Sequence, residues 1–175
     1  MSDSHLLDGK RILIVDDEPD VLEVLEELLS MCNIEKAATF EDAKTLLGVK
    51  DFDMAILDIM GVNGYALLDI AKQKKITTVM LTAHALTPDN VVRSIKEGAA
   101  SYIPKDEIAN IAVFLIDILK AQKAGNSTWA PWQERLPSSY FEKKWGAAWQ
   151  DTDKAFWERF RASLESRKPQ SKNND

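Results

Sequence analysis

Cysteine is almost missing from this chain: Cys32 stands alone in 175 residues. No disulfide framework can form within it, and a reducing compartment such as the cytosol is expected. Cys32 falls in an apolar helical pattern and reads as a small core residue. Long apolar runs are missing too, and none approaches the ~20 residues that span a bilayer. Met1 to Lys10 lacks a basic stretch followed by an apolar one, so no secretory signal is expected. An excess of positive charge is also lacking. The formal net charge is -6, and it is unevenly spread. Residues 1–125 hold 13 Lys/Arg against 21 Asp/Glu, and residues 126–175 hold 9 against 7. The first part repels nucleic acid on average, and the second is too weakly basic to argue for DNA by charge.

What is present suffices for a buried core: 45% of the residues are apolar and 29% charged. The length suits one domain of ordinary size plus an extension. Lys10-Arg-Ile-Leu-Ile-Val15 is rich in β-branched residues and predicts a buried parallel strand. It ends in Asp16-Asp17-Glu18-Pro19, with proline suited to a first helical turn. Val21, Leu22, Val24, Leu25, Leu28 and Leu29 then follow helix periodicity. A short strand is expected over 34–38. Thr39, with Asp42 three positions on, resembles a helix start, and that helix continues through Ala43, Leu46 and Leu47.

Met54-Ala-Ile-Leu-Asp58 is the next strand, an apolar run that delivers one carboxylate. Gly61 and Gly64 flank a tight loop. Tyr65, Leu67, Leu68 and Ile70 predict a third helix, with the basic run 72–75 at its C-terminal end. Ile76 to Leu81 is a fourth strand, running into Thr82-Ala83-His84. Thr87-Pro88 starts a helix that Gly98 stops. Ala100 to Ile103 is a fifth strand, followed by Pro104-Lys105-Asp106. Ile108, Ile111, Ala112, Leu115, Ile116 and Leu119 give a fifth helix its apolar face. Five strands alternating with helices predict an α/β fold, a parallel sheet with helices on both faces.

In such a sheet Asp16, Asp17, Asp58, Thr82 and Lys105 fall at the C-terminal ends of the strands, where open α/β sheets bind ligands. Singly, each has a plain reading. Asp16-Asp17 can cap a helix, Thr82 can be a strand residue, Tyr102 core filling, and Lys105 a solvated lysine. Jointly they describe something else. Clustered carboxylates repel unless a cation sits among them, and hard oxygen ligands suit Mg²⁺. Lysine and threonine can meet the charge on a phosphoryl group. The set describes phosphoryl transfer onto a carboxylate.

The stretches Ile12 to Pro19, Ile56-Leu-Asp58, Leu81-Thr82-Ala83, Gly98-Ala99 and Tyr102 to Lys105 resemble the receiver domain of bacterial two-component response regulators, the CheY-like superfamily. The resemblance covers about residues 9–122. It implies a flavodoxin-like sheet of strand order 2-1-3-4-5 and a phospho-acceptor at Asp58, charged by a histidine kinase or a phosphotransfer protein. It further implies a Mg²⁺ site made by Asp16, Asp17, Asp58 and the backbone carbonyl of Met60. Thr82, Ala83 and Lys105 would meet the phosphoryl group, and Tyr102 would rotate inward as Thr82 shifts. Met60 and His84 are candidates for tuning phosphoryl lifetime at the rim. This chain departs from the family pattern twice. Val62 stands where a proline is usual, in a loop shortened by about two residues. Asp106, not proline, follows the lysine, while Pro104 precedes it.

All five tryptophans lie between Trp129 and Trp157, and 9 of the 14 aromatic residues fall in the last 50 positions. Trp129-Ala-Pro-Trp132 reads as a turn. Tyr140, Phe141, Trp145 and Trp149 follow spacings of four to five. Asp151-Thr-Asp153 can cap a helix carrying Phe156, Trp157, Phe160 and Leu164. So much aromatic surface either folds back on the receiver as extra core or forms an interface with a partner or a second copy. The expected organisation is a receiver over 1–123, a linker at 124–128, a helical Trp-rich extension over 129–167 and a disordered tail at 168–175. The expected function is a cytoplasmic phosphorelay module. It signals by protein contact through the face of the fourth helix, fifth strand and fifth helix, or through the extension, without enzyme activity or membrane contact. A transcription regulator with an atypical DNA-binding tail is the alternative, which the acidic balance argues against.

Overall fold

The computed structural model describes residues 3–83 and 86–166. His84 and the 168–175 tail lie outside them. The chain divides into two compact units, Met1–Ile116 and Asp117–Asp175.

The first unit is built on five parallel strands: β1 (Arg11–Val15), β2 (Asn33–Ala37), β3 (Met54–Asp58), β4 (Thr77–Thr82) and β5 (Ser101–Pro104). Their order is β2-β1-β3-β4-β5. The expected sheet and topology are present. β3 is central, and all five of its residues are buried. A strand covered on both faces has no polar side to show, so it reads as a continuous apolar run. The connecting helices are α1 (Pro19–Leu28), α2 (Phe40–Val49), α3 (Gly64–Gln73) and α4 (Pro88–Lys96). Right-handed crossovers in this order place α1 on one face and α2, α3 and α4 on the other.

Local chemistry sets the helix starts. Thr39 caps α2 by accepting from the Asp42 N–H at 3.1 Å, and Thr87 caps α4 by accepting from the Asn90 N–H at 3.2 Å. Pro19 and Pro88 occupy first-turn positions, where the missing N–H costs nothing. Cys32 is half-buried and donates to the Leu7 carbonyl oxygen at 3.3 Å. Burial pushes its thiol up to about 11, so it stays protonated at neutral pH.

The fifth helix starts later than its periodicity predicts. Ile108 belongs to a 3-10 turn, Lys105–Asn110, and α5 proper runs Ile111–Ala124. Lys105 is anchored at the sheet edge by its carboxylate partners, and the tighter turn leads the chain from that anchor into the helix.

The second unit contains α6 (Trp129–Arg135), α7 (Ser138–Trp145) and α8 (Lys154–Ser166). Trp129-Ala-Pro-Trp132 is the first turn of α6 and not an isolated turn. Pro131 is tolerated there because the first N–H groups of a helix have no internal acceptor. Trp149 lies beyond α7, which stops at Gly146, a residue with φ +88°. The rings pack on one another. Trp132 stacks on Phe141 at 5.8 Å between centroids, Phe141 on Trp145 at 4.7 Å, and Trp149 meets Trp157 edge-on at 5.0 Å. Trp129, Trp132, Phe141, Trp149, Phe156, Trp157 and Phe160 are all buried. The extension therefore has an aromatic cluster of its own, which neither expectation for the tail anticipates.

Candidate functional site

Sheet register brings the acids together. Val15 pairs with Leu57, so the next residue on each strand end, Asp16 and Asp58, stands level with the other. Leu81 pairs with Asp58, and Thr82 with Pro104, which sets Thr82 one step and Lys105 two steps beyond Asp58 along the same edge. Carboxylate oxygens of Asp16, Asp17 and Asp58 all lie within 4.8 Å of one another. Asp16 is fully buried, Asp58 is 5% exposed, and Asp17 faces solvent.

The donor set fits a hard divalent cation. It consists of carboxylate oxygens only, with an open side through Asp17 where water can complete the shell. Gly61 supports this fit. A Cβ at Gly61 would land on the Asp17 carboxylate, so only glycine leaves that group its place. The Gly61 N–H also donates to Asp58 Oδ2 at 3.1 Å. The loop after β3 thus bonds one of the three acids and leaves room for a second.

Lys105 supplies the positive charge. Its Nζ lies 2.8 Å from Asp16 Oδ2, 3.0 Å from Glu18 Oε1 and 3.6 Å from Asp58 Oδ1. The contact to Asp16 is an ion pair that sits off the direction of a well-formed hydrogen bond. Burial pushes the Asp16 carboxyl above its ordinary value. The Lys105 ammonium and the Glu18 N–H, which donates to Asp16 Oδ1 at 2.9 Å, oppose that rise, and the Asp58 charge adds to it. Burial alone would lower Lys105, but Asp16 and Glu18 outweigh it and hold the ammonium above its ordinary value.

Thr82 is fully buried at the end of β4, and Ala83 beside it is exposed. Tyr102 is fully buried, and its hydroxyl accepts from the Thr87 N–H at 3.3 Å. The ring therefore already occupies the inward position. Met60 is 63% exposed beside Asp58, as a rim residue would be. The structure thus gathers the carboxylates of Asp16, Asp17 and Asp58 within 4.8 Å, brings Lys105 onto Asp16 and Asp58, and places Thr82 on the same edge. It adds Glu18, whose pairing with Lys105 across 87 residues has no signal in local sequence. It also adds Gly61, for which the glycine itself was the signal.

The family model for the response regulator receiver domain matches residues 12–113, inside the first unit. The two-component response regulator ARR18 of Arabidopsis thaliana is 36% identical over 103 residues, which cover 55% of this chain and 16% of that protein. The probable transcriptional regulator ycf27 of Cyanophora paradoxa is 33% identical over 104 residues, covering 57% of this chain and 43% of that one. Among solved structures, a CheY-like response regulator receiver domain protein from Methanospirillum hungatei aligns with a TM-score of 0.55 and 28% identity. That alignment covers 65% of this chain and 98% of the other. The matches span less than half the length of either of these curated relatives.

Proposed function

The chain belongs to the response regulator receiver family of two-component systems, and from that premise we propose that Asp58 accepts a phosphoryl group and that the chain signals through protein contacts. The observation that carries this reading is one geometry. Three carboxylates share a site within 4.8 Å, and one lysine ammonium reaches all the way to the acceptor.

The chemistry follows from the residues. A carboxylate oxygen of Asp58 attacks the phosphorus of a phosphohistidine on a histidine kinase or phosphotransfer protein. The P–N bond breaks, its electron pair returns to the imidazole, which takes up a proton, and an acyl phosphate forms. The Gly61 N–H fixes the orientation of the carboxylate. Asp16, Asp17, Asp58 and the Met60 carbonyl are the ligands assigned to Mg²⁺, which when bound neutralises charge on the phosphoryl oxygens. Lys105 leaves Glu18 and pairs with the phosphoryl group, the Thr82 hydroxyl donates to a phosphoryl oxygen, and Ala83 offers its backbone N–H. His84 is retained as a candidate tuning residue alongside Met60. No enzymatic output is assigned to the chain. No described helix is long and apolar enough to cross a membrane.

The altered partner preference is assigned to the α4–β5–α5 face, which Tyr102 borders, with the aromatic unit as a second contact for a target or another copy. A DNA-directed output is the second reading, and it draws on the name of the ycf27 relative. Beryllofluoride with Mg²⁺ separates the central reading from its absence. The intact chain should gain thermal stability with both reagents present, and Asp58→Asn should not. Equal gains in both proteins would remove Asp58 from the role. Salt-dependent retention on DNA, present only with beryllofluoride, would favour the second reading.

A further inference from the structure

Tyr65 is the second residue of α3 and sits next to Gly64, where the loop after Asp58 ends. That loop is tightly built. The Gly64 N–H donates to the Ile59 carbonyl oxygen at 2.9 Å, and a Cβ at Gly64 would land on the Asp58 backbone carbonyl oxygen. Asn63 adopts the left-handed conformation, φ 54°, to close the turn. The start of α3 is therefore held directly against the acceptor residue, with no slack between them.

The other end of Tyr65 reaches α4. Its ring is 7% exposed. Its hydroxyl lies 3.0 Å from the Asn90 carbonyl oxygen, 3.0 Å from Asn90 Oδ1 and 3.0 Å from Ser94 Oγ. A phenol has one proton, so it donates to an Asn90 oxygen and can accept from the Ser94 hydroxyl. The Arg93 guanidinium sits 3.9 Å over the ring centroid. Three residues of one helix thus grip one side chain of another. Asn90 also donates its N–H and its side-chain amide to Thr87 Oγ1, and the Thr87 N–H donates to the Tyr102 hydroxyl. Asn90 is the point where the grip of Tyr65 meets the cap of α4.

We propose that Tyr65 is a positioning residue: its hydroxyl ties the first turns of α4 to the loop after Asp58, so that α4 follows the state of the acceptor. This rests on the phosphoryl reading of Asp58 and extends it. The route runs through Gly64, Tyr65 and Asn90; it starts apart from the one assigned to Thr82 and reaches Tyr102 only at Thr87. The short loop matters, because a longer one would absorb a shift at Asp58 before α3 felt it.

The test uses the full chain and Tyr65→Phe, which keeps the ring and the Arg93 contact and removes only the hydroxyl. Amide hydrogen exchange is read in α4, with α1 and α2 as internal references. In the resting protein, Tyr65→Phe should speed exchange in α4 by about fivefold or more relative to the references. Ser94→Ala should act in the same direction, and the double variant should add little to either single one. With beryllofluoride and Mg²⁺, the change in α4 exchange seen in the natural sequence should shrink severalfold in Tyr65→Phe. Labelling of Asp58 by acetyl phosphate should stay within about twofold of the natural sequence, as expected for a residue that touches no reacting group. Strictly additive effects of the two substitutions overturn the proposal, and so does an unchanged beryllofluoride response in Tyr65→Phe. Failure of Asp58 to take label in the natural sequence counts against the phosphoryl reading itself. In that event the resting-state comparison still decides whether Tyr65 holds α4.

Discussion

Lys105 Nζ sits 2.8 Å from Asp16 Oδ2, and Asp16 is the one fully buried carboxylate of the site. A lysine from the end of β5 thereby neutralises an acid from the end of β1, across the acceptor strand that lies between them in the sheet. Lys105→Met should leave Asp16 buried without its cation. The expected loss of stability at neutral pH is about 3 kcal/mol, the lower range for breaking a buried pair. Chemical denaturation measures it, and pairing the change with Asp16→Asn should recover most of the loss.

The same two groups shape the pH dependence. Asp16 has a folded value above its ordinary 3.8, so the folded state binds its proton more tightly than the unfolded state does. Stability from this group therefore falls as pH rises from about 3.8 through the folded value. Lys105 is also raised, above 10.5, because its carboxylate partners favour the ammonium. Its contribution is fully present below 10.5 and is lost as pH climbs through the folded value. Melting temperature against pH should show a loss in each window. Asp16→Asn should remove the acid-side loss, and Lys105→Met should flatten the alkaline one.

Two glycines in one loop should fail in different ways. At Gly61 a Cβ meets the Asp17 side chain, which can swing aside. Gly61→Ala should therefore cost little stability and weaken Mg²⁺ binding by about tenfold or more, the range for displacing a group that orients a metal ligand. At Gly64 the Cβ meets backbone, which cannot move without shifting β3. Gly64→Ala should cost about 1–3 kcal/mol, as overpacking does. Mg²⁺ titration and denaturation on both variants separate the two effects.

The aromatic unit can be followed by itself, because no tryptophan precedes Trp129. Phe141 is 1% exposed and stacked between Trp132 and Trp145. Phe141→Ala should destabilise this unit by about 3–5 kcal/mol, the usual cost of removing a buried ring. Trp145 is only half-buried, so Trp145→Ala should cost clearly less. Tryptophan fluorescence during denaturation reads both.

Much of the receiver is legible in its sequence. A parallel strand buried on both faces needs an unbroken apolar run, and its first polar residue marks the sheet edge. That is why the sequence marks Asp16, Asp58 and Thr82 and why β1, β3 and β4 fall within a residue or two of their expected bounds. Thr39 and Thr87 announced their helices because capping is local chemistry. Other features depend on residues far apart in the chain. Tyr65 reads as a core residue on an apolar helical face. Nothing nearby says that its hydroxyl meets Asn90 and Ser94, 25 and 29 positions away. In the tail, helical spacing picks out Phe156, Trp157 and Phe160, which are buried. It does not separate Phe141 from the half-buried Tyr140 and Trp145, nor say that the rings bury one another, since periodicity names a face without naming what covers it.

Mapping an acyl phosphate tests whether Asp58 is the acceptor. The intact chain is incubated with acetyl phosphate and Mg²⁺, and the acid-stable, hydroxylamine-sensitive adduct is located by peptide mass spectrometry. One adduct is expected, on Asp58, that disappears in Asp58→Asn and falls sharply when the cation is chelated. An adduct elsewhere, or none under conditions that label a control receiver domain, would contradict it.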